Sequence, residues 1–156
     1  MDGRTGYDTD FHAWTREQAQ LLRDAAQARP GSPIDWDHIA GELDIMGRQV
    51  KDRIRSHLAA VIEALLKLEY SPDPRPRRRW WVAATKARRH LEEMLEENPS
   101  LERFPAEILE KAWLDGDSDA CLDDSIDIDA LPKECPYALE DLRDPDWWPP
   151  NRHGLA

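Results

Sequence analysis

Seven basic side chains (Arg75, Arg77, Arg78, Arg79, Lys86, Arg88 and Arg89) fall within fifteen residues that contain no acid, and seven aspartates fill Asp115 to Asp129 without a base. The chemistry open to the first stretch is anion recognition. Guanidinium groups grip phosphate or carboxylate bidentately, and neighbouring indoles add flat faces. Arg77, Arg78, Arg79, Trp80 and Arg88 are therefore the candidate residues for binding an anion or a partner. The competing expectation is that the basic stretch is neutralised within the fold, by Asp115–Asp129 or by surface glutamates. The chain carries −11 overall, so seven positive charges in one stretch leave −18 for the rest. Such a field repels nucleic acid and anionic membranes at long range. A nucleic-acid-associated role for Arg75–Arg89 thus ranks behind internal pairing and behind an anionic protein or ligand.

Other chemistries are less well supplied. A di-iron site in a helix bundle needs two Glu-x-x-His pairs and two further glutamates; the five histidines offer only Asp35-x-x-His38 as an approximation. His38 with Glu42, or Asp8 and Asp10 with His12, have the spacing to share an ion, but no metal or cofactor is expected. Asp115-x-Asp117-x-Asp119 is spaced like a calcium loop, yet Ala120 and Ile126 stand where that loop needs glycine and glutamate. Cys121 sits among acids that blunt a thiol, and Cys135 precedes Pro136. No glycine-rich phosphate loop is present. No catalytic residue is assigned, and the balance leans away from an enzyme. Glu42, Lys67 and Arg89 remain as polar residues on otherwise amphipathic helices. They are expected either to line a groove between the second and third helices as a cluster or to fix register as an interhelical salt bridge.

These side chains must be positioned by helices, since no segment reads as a strand. The first helix is predicted from about Asp10 to Ala28, capped by Asp10 and stopped by Pro30-Gly31-Ser32-Pro33, with Phe11, Trp14, Ala19 (or Gln18), Leu21, Leu22 and Ala25 inward. The second is predicted from Trp36 to about Tyr70 behind an Asp35 cap. Ile39, Leu43, Met46, Val50, Ile54, Leu58, Val61, Leu65 and Leu68 recur at steps of three or four. At 1.5 Å per residue that helix is roughly 50 Å long, and Gly41 and Gly47 are candidate bends. The prolines at 72, 74 and 76 make a stiff connector. A third helix follows from about Arg77 to Glu97 with Trp81, Ala84, Ala87 or Arg88, Leu91, Met94 and Leu95 inward. Its charge runs from basic to acidic, against the helix dipole, so a tertiary partner is expected at its acidic end. The fourth begins near Phe104-Pro105 and crosses Gly116. Beyond Asp124 the chain is irregular, with one short turn expected at Ala138–Leu142 and Trp147-Trp148 stapling the tail down. Trp14, Trp36, Trp81 and Trp113 are expected in the core.

The expected architecture is all-α: one domain over residues 1–156, with a bundle of four main helices at about 7–124, one long central helix, and a Pro/Trp-rich tail at 125–156 packing on it. A chain of 156 residues buries enough surface to need no metal or disulfide staple. At 34 % charged residues it is polar, but seven tryptophans argue against wholesale disorder. Two cysteines fourteen positions apart make no disulfide framework and suit a reducing cytoplasm. Met1–Asp10 has no apolar run and does not read as a signal segment, and no stretch approaches the ~20 apolar residues of a membrane span.

Several segments together resemble the bacterial family called "domain of unknown function twenty-nine". They are Tyr7–Trp14, Ile34-Asp35-Trp36, Glu42-Leu43, Gly47, Leu65-Leu66-Lys67, Trp81, Arg89, Asn98–Leu101 and Leu131–Tyr137. The resemblance covers roughly Tyr7 to Pro149 and implies an all-helical single domain. It carries no activity and no catalytic residue. Where family members often have a histidine before Leu-Leu-Lys, this chain has Ala64. The functional expectation is a non-enzymatic protein-interaction module. Its apolar stripe outruns what shorter neighbours can cover, which points to self-association.

Overall fold

The computed structural model describes residues 6–156, and every regular element among them is helical. Met1–Thr5, the first part of the stretch read as lacking a signal segment, lie outside the described residues. The main helices are α1 (Phe11–Ala28), α2 (Trp36–Tyr70), α3 (Arg77–Glu97) and α4 (Phe104–Ala120); a short α5 (Leu139–Arg143) interrupts the tail. Two compact units are formed. The first runs to Arg53 and takes in Met94–Arg103; the second comprises Ile54–Glu93 and Phe104–Ala156.

In the first unit, Asp10 caps α1 by accepting from the Ala13 amide at 2.8 Å. The same carboxylate accepts from the Ser100 amide at 2.6 Å and the Ser100 hydroxyl at 3.0 Å. Asn98 completes the joint, its Oδ1 accepting from the His12 amide at 2.9 Å and its Nδ2 donating to the Met94 carbonyl at 2.8 Å. The Asn98–Leu101 motif is thus a dock for the start of α1. The inward face of α1 is His12, Thr15 and Ala19; Ala19 lies as expected, whereas Phe11 and Trp14 are half-buried and Leu21 is exposed. The reason lies in two places. Phe11 and Trp14 pack with Tyr7 in an aromatic cluster, ring centroids 4.9–6.0 Å apart. Thr15 and His12 instead approach α2 at Gly47, where a Cβ would stand 2.7 Å from Thr15 Oγ1.

The α2 stripe is buried from Val50 onward, through Ile54, Leu58, Val61, Leu65 and Leu68 in the second unit. Its first turns differ from expectation: Ile39 and Met46 are 45 % and 40 % exposed. In the second unit α3 turns Trp80, Ala84, Ala87 and Leu91 inward, and α4 contributes Ala112, Trp113, Gly116 and Ala120. Trp81, expected in the core, is 48 % exposed. The acidic end of α3 finds its partner in the tail, where Arg143 grips Glu92 through two 2.7 Å contacts.

A helix leaves its last carbonyls without intrahelical donors, and the start of α3 and the tail supply them for α2. Leu68 O accepts from Arg77 Nη1 at 2.7 Å and Asn151 Nδ2 at 2.8 Å. Glu69 O accepts from the Arg152 amide at 2.9 Å, and Tyr70 O meets His153 Nε2 at 3.0 Å. The Leu131–Tyr137 motif ends in another staple. Buried Tyr137 donates to Glu69 Oε2 at 2.8 Å, and burial beside that carboxylate drives the phenol pKa far upward.

Candidate functional site

The basic stretch does not act as one surface. Trp80, expected at a binding face, is only 6 % exposed; the series 80, 84, 87, 91 faces the core, so its ring cannot meet a partner. Arg88 is 2 % exposed. Its Nε and Nη2 donate to the Leu142 and Asp141 carbonyls at 2.9 and 3.0 Å, and its guanidinium lies 4.7 Å over the Trp148 ring. Arg77 is spent on Leu68 O and, at 3.1 Å, on Ala156 O. Arg75 pairs with Asp73 and Arg89 with Glu93. Asp115 instead pairs with Arg55 at 2.6 Å, so among the described residues the two charged stretches do not neutralise each other. Arg78 and Arg79 remain exposed. Arg77 and Arg78 border an open groove of about 470 Å³ beside Trp81, which stacks on Trp148 at 5.5 Å.

Glu42, Lys67 and Arg89 are not brought together as a cluster. Lys67 pairs with Glu63 at 2.5 Å and Arg89 with Glu93 at 3.5 Å, each one turn along its own helix. Glu42 is exposed in the first unit, about seven turns before Lys67 on α2.

Two features of the first unit bear on function. One is the outward face of α2, where Ile39, Ile45 and Met46 are exposed beside Glu42, Gln49 and Arg53. These positions repeat at three and four, so they share one side of the helix. The other is a hollow of about 190 Å³ lined by His12, Arg16, Asp44, Gly47, Arg48 and Lys51. Arg16 comes from α1 and Arg48 and Lys51 from α2, so three cations converge there. The one carboxylate, Asp44, is already held by Arg23 at 2.5 Å.

His12 forms the inner wall of that hollow and is 6 % exposed. Burial lowers its pKa from 6.5, and the charges of Lys51 and Arg16 lower it further against a smaller opposing pull from Asp10. A base whose folded pKa is depressed stabilises the fold while neutral. Its contribution is complete above about pH 6.5 and is lost as pH falls through the depressed value. The melting temperature should therefore fall more steeply on acidification below pH 6.5 in the wild type than in His12→Asn. Parallel melting profiles for the two proteins would contradict this linkage.

An all-helical fold with these joints is similar to a solved one. The crystal structure of an alpha-helical protein of unknown function from Rhodospirillum rubrum, at 1.45 Å resolution, superposes with a TM-score of 0.72 over 92 % of each chain at 21 % identity. That likeness establishes the fold. The family is given by the sequence: the profile described as "Domain of unknown function DUF29" matches residues 6–148, and the chain belongs to that family. No curated protein matches it. Among the described residues no helix is long and apolar enough to cross a membrane.

Proposed function

We propose that this protein is a non-enzymatic helical interaction module that self-associates through the outward face of the first half of α2. One observation carries the reading: Ile39, Ile45 and Met46 stand exposed side by side in a chain whose mean hydropathy is −0.76. Water-facing apolar side chains at helical spacing are stabilised when a second apolar surface covers them. Charge along the face supports a second copy as that surface. Asp35 and Glu42 lie toward its start and Arg53 toward its end. Two copies laid antiparallel about Ile45–Met46 bring the acidic end of each against the basic end of the other, with the same patch used twice, as a two-fold axis requires. Glu42 then acts at an interface that Lys67 and Arg89 do not share.

The patch is small, so the dimer is weak, with Kd on the order of micromolar. Sedimentation velocity from about 1 to 200 µM should show the mass rising to that of a dimer. The double substitution Ile39→Glu/Met46→Glu should hold the protein monomeric with unchanged helicity. A wild type that stays monomeric at the highest concentration overturns the proposal. Two further parts of the reading go with it. One is a single cooperative domain, supported by α2 and α3 each supplying residues to both units. The other is a cytoplasmic location, supported by the unbridged thiols of Cys121 and Cys135.

A further inference from the structure

We infer that the hollow between α1 and α2 in the first unit binds a phosphoryl group. The cations are concentrated against the trend of the whole molecule. In a chain of −11, Arg16, Arg48 and Lys51 line one hollow of about 190 Å³, large enough for a tetrahedral oxyanion. Asp44 does not cancel Arg16 and Arg48, because Arg23 already binds its carboxylate.

The inner wall points to the same ligand. His12 Nδ1 lies 3.3 Å from Ser100 Oγ, and that hydroxyl donates its proton to Asp10 Oδ1 at 3.0 Å. Ser100 Oγ can therefore only accept from the imidazole, which fixes the proton on Nδ1 and leaves Nε2 as the acceptor nitrogen. Nε2 has no protein partner among the described residues and is not among the fully buried unpartnered atoms, so it is open to the hollow that His12 lines. An acceptor nitrogen among cations suits a hydrogenphosphate or phosphate monoester that still carries one hydroxyl. That hydroxyl donates to Nε2 while the remaining oxygens accept from Arg16, Arg48 and Lys51. Guanidinium forks match this geometry. Gly47 lets the two helices come close enough for one small anion to touch both, since a Cβ there would strike Thr15 Oγ1 at 2.7 Å. The face used is not the Ile39/Met46 face: Asp44, Arg48 and Lys51 lie on another side of α2, so this inference stands apart from self-association.

The experiment is a titration of the full chain with inorganic phosphate at about 50 mM salt, followed by amide and His12 imidazole NMR shifts. Saturable shifts at Ala13, Arg16, Arg48 and Lys51 with a Kd near or below about 1 mM are expected. Arg16→Gln/Arg48→Gln should weaken binding at least tenfold. Both residues are exposed, so the fold survives and its circular dichroism should be unchanged. The wild-type His12 Nε2 resonance supplies a readout that needs no variant. A parallel arm uses phosphatidylcholine vesicles with and without phosphatidic acid. Binding of free phosphate assigns a soluble phosphoryl ligand, and arginine-dependent binding confined to phosphatidic acid vesicles assigns a lipid headgroup. No saturable response in either arm, or a response equal in the double variant, overturns the inference.

Discussion

Gly116→Ala is expected to destabilise the protein by about 1–3 kcal/mol, lowering the melting temperature by roughly 2–10 °C. The sign is the informative part, because alanine in place of a mid-helix glycine ordinarily gains about 1 kcal/mol. Gly116 is buried in α4, and a Cβ there would sit 2.7 Å from the Ala59 carbonyl oxygen and 2.9 Å from Ile62 Cβ and Cγ2. The first obstacle is backbone in the middle of α2, which cannot rotate away as a side-chain tip can. Relief requires α4 to back off, opening gaps around Ala112, Trp113 and Ala120, all of which are buried. Gly41 is the internal control. It is also helical, but a Cβ there meets nothing within 4 Å. Gly41→Ala should therefore stabilise by about 1 kcal/mol through propensity alone. Urea denaturation of both variants gives the comparison, and two shifts of the same sign would refute the close α2–α4 contact.

The same glycine shows where sequence reading stops. The boundaries of α2 were legible because Asp35 and the prolines at 72, 74 and 76 are local signals, and the α2 stripe from Val50 onward follows from periodicity. Gly116 was legible only as a residue the fourth helix crosses. The register of α3 was not legible. Trp80 and Trp81 are adjacent, and Ala84 and Leu91 fit a three-four series from either, so the pattern did not choose between them. The periodicity of α3 admitted Arg88 as an alternative to Ala87 on the inward face, and both are buried, but nothing local identified its partners, the carbonyls of Leu142 and Asp141, a group that every residue has. The cationic hollow was missed for a related reason. Arg16 and Arg48 are far apart in sequence, and only the approach of α1 to α2 at Gly47 places both beside His12. Gly47 had been read as a bend in one helix, whereas its contribution is a contact between two. Motifs with short-range partners were more transparent: Asp10 was identifiable as a cap, although its second partner, Ser100, was not.

Arg88→Ala is expected to cost about 3–5 kcal/mol, the largest single loss among these substitutions. The side chain is almost fully buried, and desolvation works against its charge, lowering its pKa despite the nearby carboxylates of Asp144 and Asp141. That penalty is partly offset by two charge-assisted hydrogen bonds to Leu142 O and Asp141 O and by the Trp148 ring, while Nη1 is buried without a partner. Truncation removes all three and leaves a cavity under α5. Arg88→Met separates the contributions. It restores most of the volume and removes the buried charge, so a hydrophobic substitute at a buried ionic site can approach neutrality. Here, however, it leaves the two carbonyls without their donors. Methionine should therefore recover part of the loss but remain about 1–3 kcal/mol below the wild type. Hydrogen exchange adds the location: protection should fall first at Leu142 and Asp144, whose amides bond to Ala138 O and Glu140 O, before it falls in α2. A methionine variant as stable as the wild type would mean that Arg88 acts by filling space and that its hydrogen bonds contribute nothing net. An alanine variant losing less than about 1 kcal/mol would mean that the tail is held by Arg143, Tyr137 and Asn151 without it.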